Sequence, residues 1–148
     1  MSRFVVKKVA VLGAGVMGAQ IAAHLVNVRV PVVLFDLPAK EGPKSAIAQK
    51  AIANLKKLKP SPLGVAAEAD LITPANYEEH LAQLKDCDLV IEAIAERMDW
   101  KRDLYHQIAP FVAPHAILAS NTSGLSITAL SEALPEQLRH RFCGIHFF

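Results

Sequence analysis

Apolar residues fall along this chain in two alternating rhythms: short unbroken runs, and longer stretches at helical spacing. Val9-Ala10-Val11-Leu12 carries no polar interruption and predicts a strand over 8–12 that is buried on both faces. Val16, Met17, Ile21, Ala22, Leu25 and Val26 then recur with a 3.6-residue period and predict a helix over 16–28. Val32 to Phe35 forms a second apolar run. A long helical stretch over 43–58 ends at Lys59-Pro60-Ser61-Pro62, because proline lacks an amide donor and disfavours helix in the residue before it. After a loop, the pattern predicts a short strand over 71–73, a short helix over 77–84 and a strong buried strand over 87–95. It closes with a helix over 99–111, a strand over 116–120, a short helix over 127–134 and a last strand over 142–148.

Strands that alternate with helices, and that are apolar throughout instead of alternating polar and apolar, need cover on both sides. The expected fold is therefore α/β, a Rossmann-type, doubly wound and mainly parallel sheet with helices on both faces. It is expected to occupy residues 1–148 as one domain, without internal repeats or low-complexity segments. In such a sheet ligands bind at the carboxyl ends of the strands, near the point where strand order reverses. The residues to inspect are thus Gly13 to Gly18, Asp36, Ala93 to Glu96, Ser120 to Ser123 and those after Gly144.

Composition narrows the function classes. At 148 residues and 52% hydrophobic content the chain can bury one full core. A formal charge of +2 with dispersed charges leaves no electrostatic footprint for nucleic acid. The cluster Lys50, Lys56, Lys57, Lys59 reads first as the wet face of a helix. No run reaches the ~20 apolar residues of a membrane span, and the N-terminus lacks the apolar stretch of a secretion signal. Cys87 and Cys143 sit in or beside apolar runs and read as small buried hydrophobes, with neither a disulfide nor a metal site, which fits a reducing, cytoplasmic setting.

The candidate chemistry begins with the turn Gly13-Ala14-Gly15-Val16-Met17-Gly18 between the first strand and first helix. Gly13 permits the tight turn, Gly15 lets backbone approach a pyrophosphate, and Gly18 lets helix and strand pack closely. The helix N-terminus adds unpaired N–H groups and the positive end of its dipole. Glycine turns also occur where nothing binds, so Asp36 matters: it closes the second strand ~20 residues on, where such folds hydrogen-bond the adenosine ribose. A carboxylate there accepts from both ribose hydroxyls and repels a 2′-phosphate, favouring NAD over NADP. A solvated strand end is the bland alternative for Asp36, and Lys40 is the nearest cation in sequence.

Three further clusters follow apolar runs. Glu96 stands at the mouth of the sheet with Lys101 one helical turn on; Glu92 lies inside the strand, where a buried, paired carboxylate is the bland alternative, and Glu96 is better placed to face a bound cofactor. Ser120-Asn121-Thr122-Ser123-Gly124 is a dense polar turn that could serve only as a helix cap. Gly144-Ile145-His146-Phe147-Phe148 places a histidine in an apolar strand, where a core residue is the usual outcome. Histidine is also the side chain suited to accept a proton near neutral pH when hydride leaves a carbinol carbon.

Taken in order and spacing, Gly13-Ala14-Gly15-Val16-Met17-Gly18, Glu92-Ala93-Ile94-Ala95-Glu96, Ser120-Asn121-Thr122-Ser123-Gly124-Leu125 and Gly144-Ile145-His146-Phe147-Phe148 resemble the NAD-binding domain of L-3-hydroxyacyl-CoA dehydrogenases. The resemblance covers essentially the whole chain. It implies that His146 is the general base that takes the substrate hydroxyl proton during fatty-acid β-oxidation, and that Ser123 hydrogen-bonds the substrate oxygen. It implies that Gly13, Gly15, Val16, Met17, Gly18, Asp36, Ala95, Glu96, Lys101, Asn121 and Ser123 hold NAD, with Glu96 and Lys101 on its nicotinamide half. The stretch between Asp36 and Pro60 looks like the family's helical insertion, whose lysines would meet the phosphates of coenzyme A. The Lys-Pro-Ser-Pro-Leu stretch is similar to multifunctional fatty-oxidation proteins with a fused enoyl-CoA hydratase.

The family pattern continues past His-Phe-Phe into Asn-Pro, a glutamate that orients the histidine, and a helical domain that closes the substrate cleft and forms a dimer. This sequence stops two residues after His146, so the resemblance implies an excised, inactive cofactor domain of a homo-oligomeric 3-hydroxyacyl-CoA dehydrogenase. The rival readings are a non-catalytic NAD(H)-binding module and the NAD-binding domain of another hydroxyacid dehydrogenase.

Overall fold

The computed structural model describes residues 3–147. Six strands form one sheet in the order β3-β2-β1-β4-β5-β6, and every neighbouring pair is parallel. The strands are β1 (Val9–Leu12), β2 (Val32–Asp36), β3 (Ile72–Asn76), β4 (Leu89–Glu92), β5 (Ile117–Ser120) and β6 (Phe142–Gly144). The helices are α1 (Val16–Asn27), α2 (Ala46–Leu55), α3 (Met98–Ile108), α4 (Ile127–Ala133) and α5 (Glu136–Arg139).

The absence of polar alternation has its cause in two cores, one on each face of the sheet. Ala10, Leu12, Val33, Phe35, Val90 and Leu118 point to the core shared with α3 and α4. Val9, Val11, Val32, Leu34 and Ile91 point to the core shared with α1 and α2. A doubly wound sheet follows, and its order reverses between β1 and β4, which run side by side from Val9 opposite Leu89 to Leu12 opposite Glu92.

Element ends depart from the sequence expectations where hydrogen-bond partners run out. β4 stops at Glu92 instead of continuing to 95, because its neighbour β1 ends at Leu12: the Ala93 amide still donates to Leu12 O, and no strand residue lies opposite beyond it. β6 stops at Gly144 instead of running on to 148; past it, the Ile145 amide donates to Ser120 O and the Phe147 amide to the Asn121 side chain. Phe148 lies outside the described residues. The helix expected over 77–84 is a turn followed by a 3₁₀ segment at Leu81–Asp86, because the Asn76 side chain takes the amides of Glu78 and Glu79 and the His80 ring takes that of Asn76. α2 is shorter than expected and packs on β2, β3 and α1. Lys50 sits on its exposed side, while Lys56, Lys57 and Lys59 lie past its last residue. A 3₁₀ segment at Ala66–Leu71 and α5 were not legible from periodicity. Cys87 is buried, but Cys143 is exposed on the edge strand β6, which corrects its reading as a buried hydrophobe. No helix among the described residues is long and apolar enough to cross a membrane, and no group of three or more His, Cys, Asp or Glu side chains is placed to hold a metal.

Candidate functional site

The carboxyl ends of β1, β2 and β4 open into a cleft of about 530 Å³. Gly13, Gly15 and Asp36 line it, with Leu37, Tyr77, Ala93 to Ala95 and, from α3, Trp100, Asp103, Leu104 and Gln107. It therefore sits at the switch point of the sheet, where an open α/β fold offers helix N-termini and strand ends together.

The three glycines of the turn have separate physical reasons. Gly13 adopts φ +107°, and a Cβ there would stand 2.7 Å from Ala93 O, so the turn and the β1–β4 contact both require glycine. A Cβ on Gly18 would stand 1.7 Å from Gly13 O, so α1 reaches β1 only because that atom is missing. A Cβ on Gly15 would meet nothing within 4 Å. Gly15 is thus the one whose bareness serves no contact within the protein, and it faces the cleft.

α1 starts at this turn without a side-chain cap and with no acidic residue in its first turn. Its leading amides and dipole end are therefore left for a ligand with negative charge. Val16 and Met17 stay exposed at 77% and 42%, so the turn presents backbone and apolar surface to solvent. Asp36 closes the geometry: one carboxylate oxygen accepts from the Ala14 amide and the other from the Leu37 amide, each at 2.7 Å. Two backbone donors fix the carboxylate and leave lone pairs on both oxygens for hydroxyl donors. Helix amides, open space at Gly15 and a fixed acceptor fit the diphosphate and ribose of a dinucleotide.

On the other side of the cleft a buried network ties three elements together. Glu92, fully buried, accepts from Lys101 Nζ at 2.5 Å, Tyr105 Oη at 2.7 Å, Ser120 Oγ at 2.7 Å and the Ile94 amide at 2.9 Å. Burial, reinforced by the Glu92 charge and hydrogen bond, pushes the Tyr105 hydroxyl far above its ordinary pKa, so it remains a donor. Lys101 is also fully buried, and its ammonium lies 3.5 Å from a Glu96 oxygen. Lys101 therefore sits beneath the surface between two carboxylates and is not among the residues that line the cleft.

Glu96 is exposed, and its other oxygen accepts from Thr122 Oγ1 at 2.6 Å and the Gly124 amide at 3.0 Å. Partial burial pushes its carboxyl up, but these hydrogen bonds and the Lys101 charge outweigh that and hold it below the usual range. Glu96 thereby clamps the turn on both sides of Ser123, which is itself exposed. Asn121, half-buried, holds the segment 145–147 through its Phe147 hydrogen bond at 3.2 Å, and His146 is exposed within that segment. The structure thus gathers Gly13, Gly15 and Asp36 at one side of the sheet's carboxyl end. Glu96, Ser123, Asn121 and His146 gather at the other, with Ala95 between them.

Thr122, Tyr105 and Ser120 hold this arrangement although the sequence reading gave none of them a place in the network. Trp100, Asp103, Leu104 and Gln107 form an i, i+3, i+4, i+7 stripe that could have been read as one helix face, yet nothing local says that the face meets a cleft.

Comparison with known proteins agrees with this geometry. The family model described as "3-hydroxyacyl-CoA dehydrogenase, NAD binding domain" matches residues 8–148. A Rickettsia felis protein named as a fatty acid oxidation complex trifunctional enzyme is 44% identical over 97% of the chain and 20% of its own length. A Deinococcus radiodurans 3-hydroxyacyl-CoA dehydrogenase is 40% identical over 97% of the chain and 42% of its own length. Among solved structures, 3-hydroxybutyryl-CoA dehydrogenase from Escherichia coli superposes with a TM-score of 0.78 at 30% identity, covering 97% of the chain and 30% of that protein. The (S)-3-hydroxybutyryl-CoA dehydrogenase from Ralstonia eutropha gives 0.77 at 32% identity, covering 97% and 50%. The chain spans between a fifth and less than half the length of these two sequence relatives.

Proposed function

The chain belongs to the 3-hydroxyacyl-CoA dehydrogenase family as its NAD-binding domain, and from that premise we propose that it serves oxidation of a 3-hydroxyacyl-CoA to the 3-oxoacyl-CoA. The observation that carries this reading is the hydrogen bond from the Phe147 amide to Asn121, which ties the segment bearing His146 to the turn bearing Ser123. A base and a hydroxyl donor are thereby held by one side chain next to a dinucleotide cleft.

Bound NAD supplies the hydride acceptor. His146 takes the hydroxyl proton as the carbinol carbon gives up hydride and its C–O bond becomes C=O. Ser123 hydrogen-bonds the substrate oxygen, and Glu96 keeps Ser123 in place through Thr122 and Gly124. Lys101 supports Glu96 from below, which gives it a positioning role instead of direct contact. Gly15, the leading turn of α1 with Val16 and Met17, and Asp36 hold the diphosphate and adenosine ribose. Lys50, Lys56, Lys57 and Lys59 offer exposed cations to the phosphates of coenzyme A. A further helical domain that closes the cleft, a homo-oligomeric whole protein and a cytoplasmic setting complete the proposal; two unpaired cysteines support the last.

The test is NADH formation from 3-hydroxyacyl-CoA by the protein extended with the helical domain. His146→Ala is expected to lose ~10²–10⁴-fold in kcat, with NAD affinity unchanged. An unaffected variant would return His146 to a packing role.

A further inference from the structure

His146 is flanked by two backbone hydrogen bonds, one to Ser120, the last residue of β5, and one to Asn121 beside it. The Ile145 amide donates to Ser120 O at 2.9 Å, and the Phe147 amide donates to Asn121 Oδ1 at 3.2 Å. The segment carrying the histidine is thus held on both sides. Ser123 lies two residues past Asn121 on the same turn. The placing of both groups therefore depends on what fixes residues 120 to 124.

One residue reaches that stretch by two routes. Glu92, at the end of β4, is the register partner of Ser120. Its carbonyl accepts the Asn121 amide at 2.8 Å, and its Oε1 accepts Ser120 Oγ at 2.7 Å, which makes the first route. Its Oε2 accepts from Lys101 Nζ at 2.5 Å, and the same ammonium lies 3.5 Å from Glu96 Oε1. Glu96 Oε2 then takes Thr122 Oγ1 and the Gly124 amide on either side of Ser123, which makes the second. With Tyr105 Oη on Oε1 and the Ile94 amide on Oε2, four donors fill the four acceptor sites of the Glu92 carboxylate. Glu92, Lys101 and Ser120 are fully buried, and none is among the residues that line the cleft. An ion pair buried this deeply adds little net stability over packed apolar groups, because both charges leave water. What the filled carboxylate does supply is a single arrangement of its partners.

We propose that Glu92 is a positioning residue for the dehydrogenation, setting His146 through Ser120 on one route and Ser123 through Lys101 and Glu96 on the other. This rests on the reading of His146 as the base and Ser123 as the hydroxyl donor. Glu92, Lys101 and Ser120 touch neither substrate nor cofactor in that reading; each acts through the group it holds. Proton transfer from an oriented hydroxyl depends steeply on geometry, and a misplacement of about 1 Å from a change far from the chemistry costs ~10²-fold. Loss of one buried hydrogen bond at Ser120 is therefore felt at His146.

Ser120→Ala removes the hydroxyl that Glu92 holds and keeps the carbonyl that Ile145 uses. In the protein extended with the helical domain it is expected to lower kcat by ~10-fold or more, with affinity for NADH unchanged. A double-variant cycle separates positioning from folding: in a His146→Ala background, Ser120→Ala is expected to add no further loss, since the group it positions is gone. The second route is cut by Glu92→Gln combined with Lys101→Met, which removes both members of the buried ion pair and keeps an acceptor for Ser120. Its loss of kcat is expected to vanish in a Ser123→Ala background. Wild-type turnover by Ser120→Ala, where His146→Ala is impaired, would overturn the positioning role and leave the base standing. Equal losses from Ser120→Ala with and without His146 would also overturn it, by making the effect one of folding. An unimpaired His146→Ala would remove the functional reading and this inference together.

Discussion

The Ala14 amide and the Asp36 carboxylate are joined by a 2.7 Å hydrogen bond across 22 residues of sequence, so the glycine turn and the end of β2 are fixed to each other. The acceptor proposed for the ribose is therefore held by the protein's own backbone. The chain is expected to bind NADH in preference to NADPH, because Asp36 repels a 2′-phosphate and accepts from an unmodified ribose. Calorimetry with both nucleotides measures this, and Asp36→Ala is expected to erase the preference. Equal affinities in the wild type would mean that Asp36 does not face the ribose.

Glycine substitutions in the turn are expected to separate folding from binding. Gly15 has φ −73° and ψ −168°, an extended conformation any residue adopts, and open space at its Cβ. Gly15→Val should leave circular dichroism intact and abolish nucleotide binding. Gly18→Ala instead pushes a methyl into the Gly13 carbonyl and should destabilise the domain by about 4 kcal/mol or more. Nucleotide binding retained by Gly15→Val would remove the diphosphate from this turn.

The Lys101–Glu92 pair provides a stability test. Lys101→Met leaves Glu92 charged and buried with its cation gone, and is expected to cost about 3–5 kcal/mol in urea unfolding. Glu92→Gln combined with Lys101→Met should recover part of that loss, because the uncompensated charge is removed as well. A double variant no better than Lys101→Met would assign the cost to packing and not to charge.

At the opposite end of the sheet, Asp88 accepts from His115 Nε2 at 2.7 Å and from the Lys7 amide at 2.7 Å. The His115 hydrogen bond first, and the Lys7 amide next, hold its carboxyl below the usual value. A carboxyl lowered in the folded state binds fewer protons than in the unfolded chain, so its stabilisation is complete above the ordinary carboxylate range and is lost as pH falls through the folded value. The stability gap between wild type and Asp88→Ala should be flat at neutral pH and narrow below about pH 4. A gap that stays constant to strongly acidic pH would show that the lowered carboxyl contributes nothing.

The sequence by itself determined the alternation of strand and helix, the parallel sheet covered on both faces, and the glycine turn with Asp36 at its partner strand. Each is written in neighbouring residues: an unbroken run such as Val9 to Leu12, a helical period from Val16, three glycines in six positions. The tertiary structure alone decided where those strands stop, since β4 and β6 end when their pairing partners turn away, which no local pattern records. It decided that Lys101 lies sealed between Glu92 and Glu96, because a lysine's exposure depends on which carboxylates other strands bring beneath it. It also decided that Trp100 and Tyr77 line the cleft, the latter with a buried hydroxyl that has no hydrogen-bond partner among the described residues, and that Cys143 sits on an exposed edge. Those facts depend on contacts between residues far apart in the chain, and a reading of periods along the sequence contains no term for them.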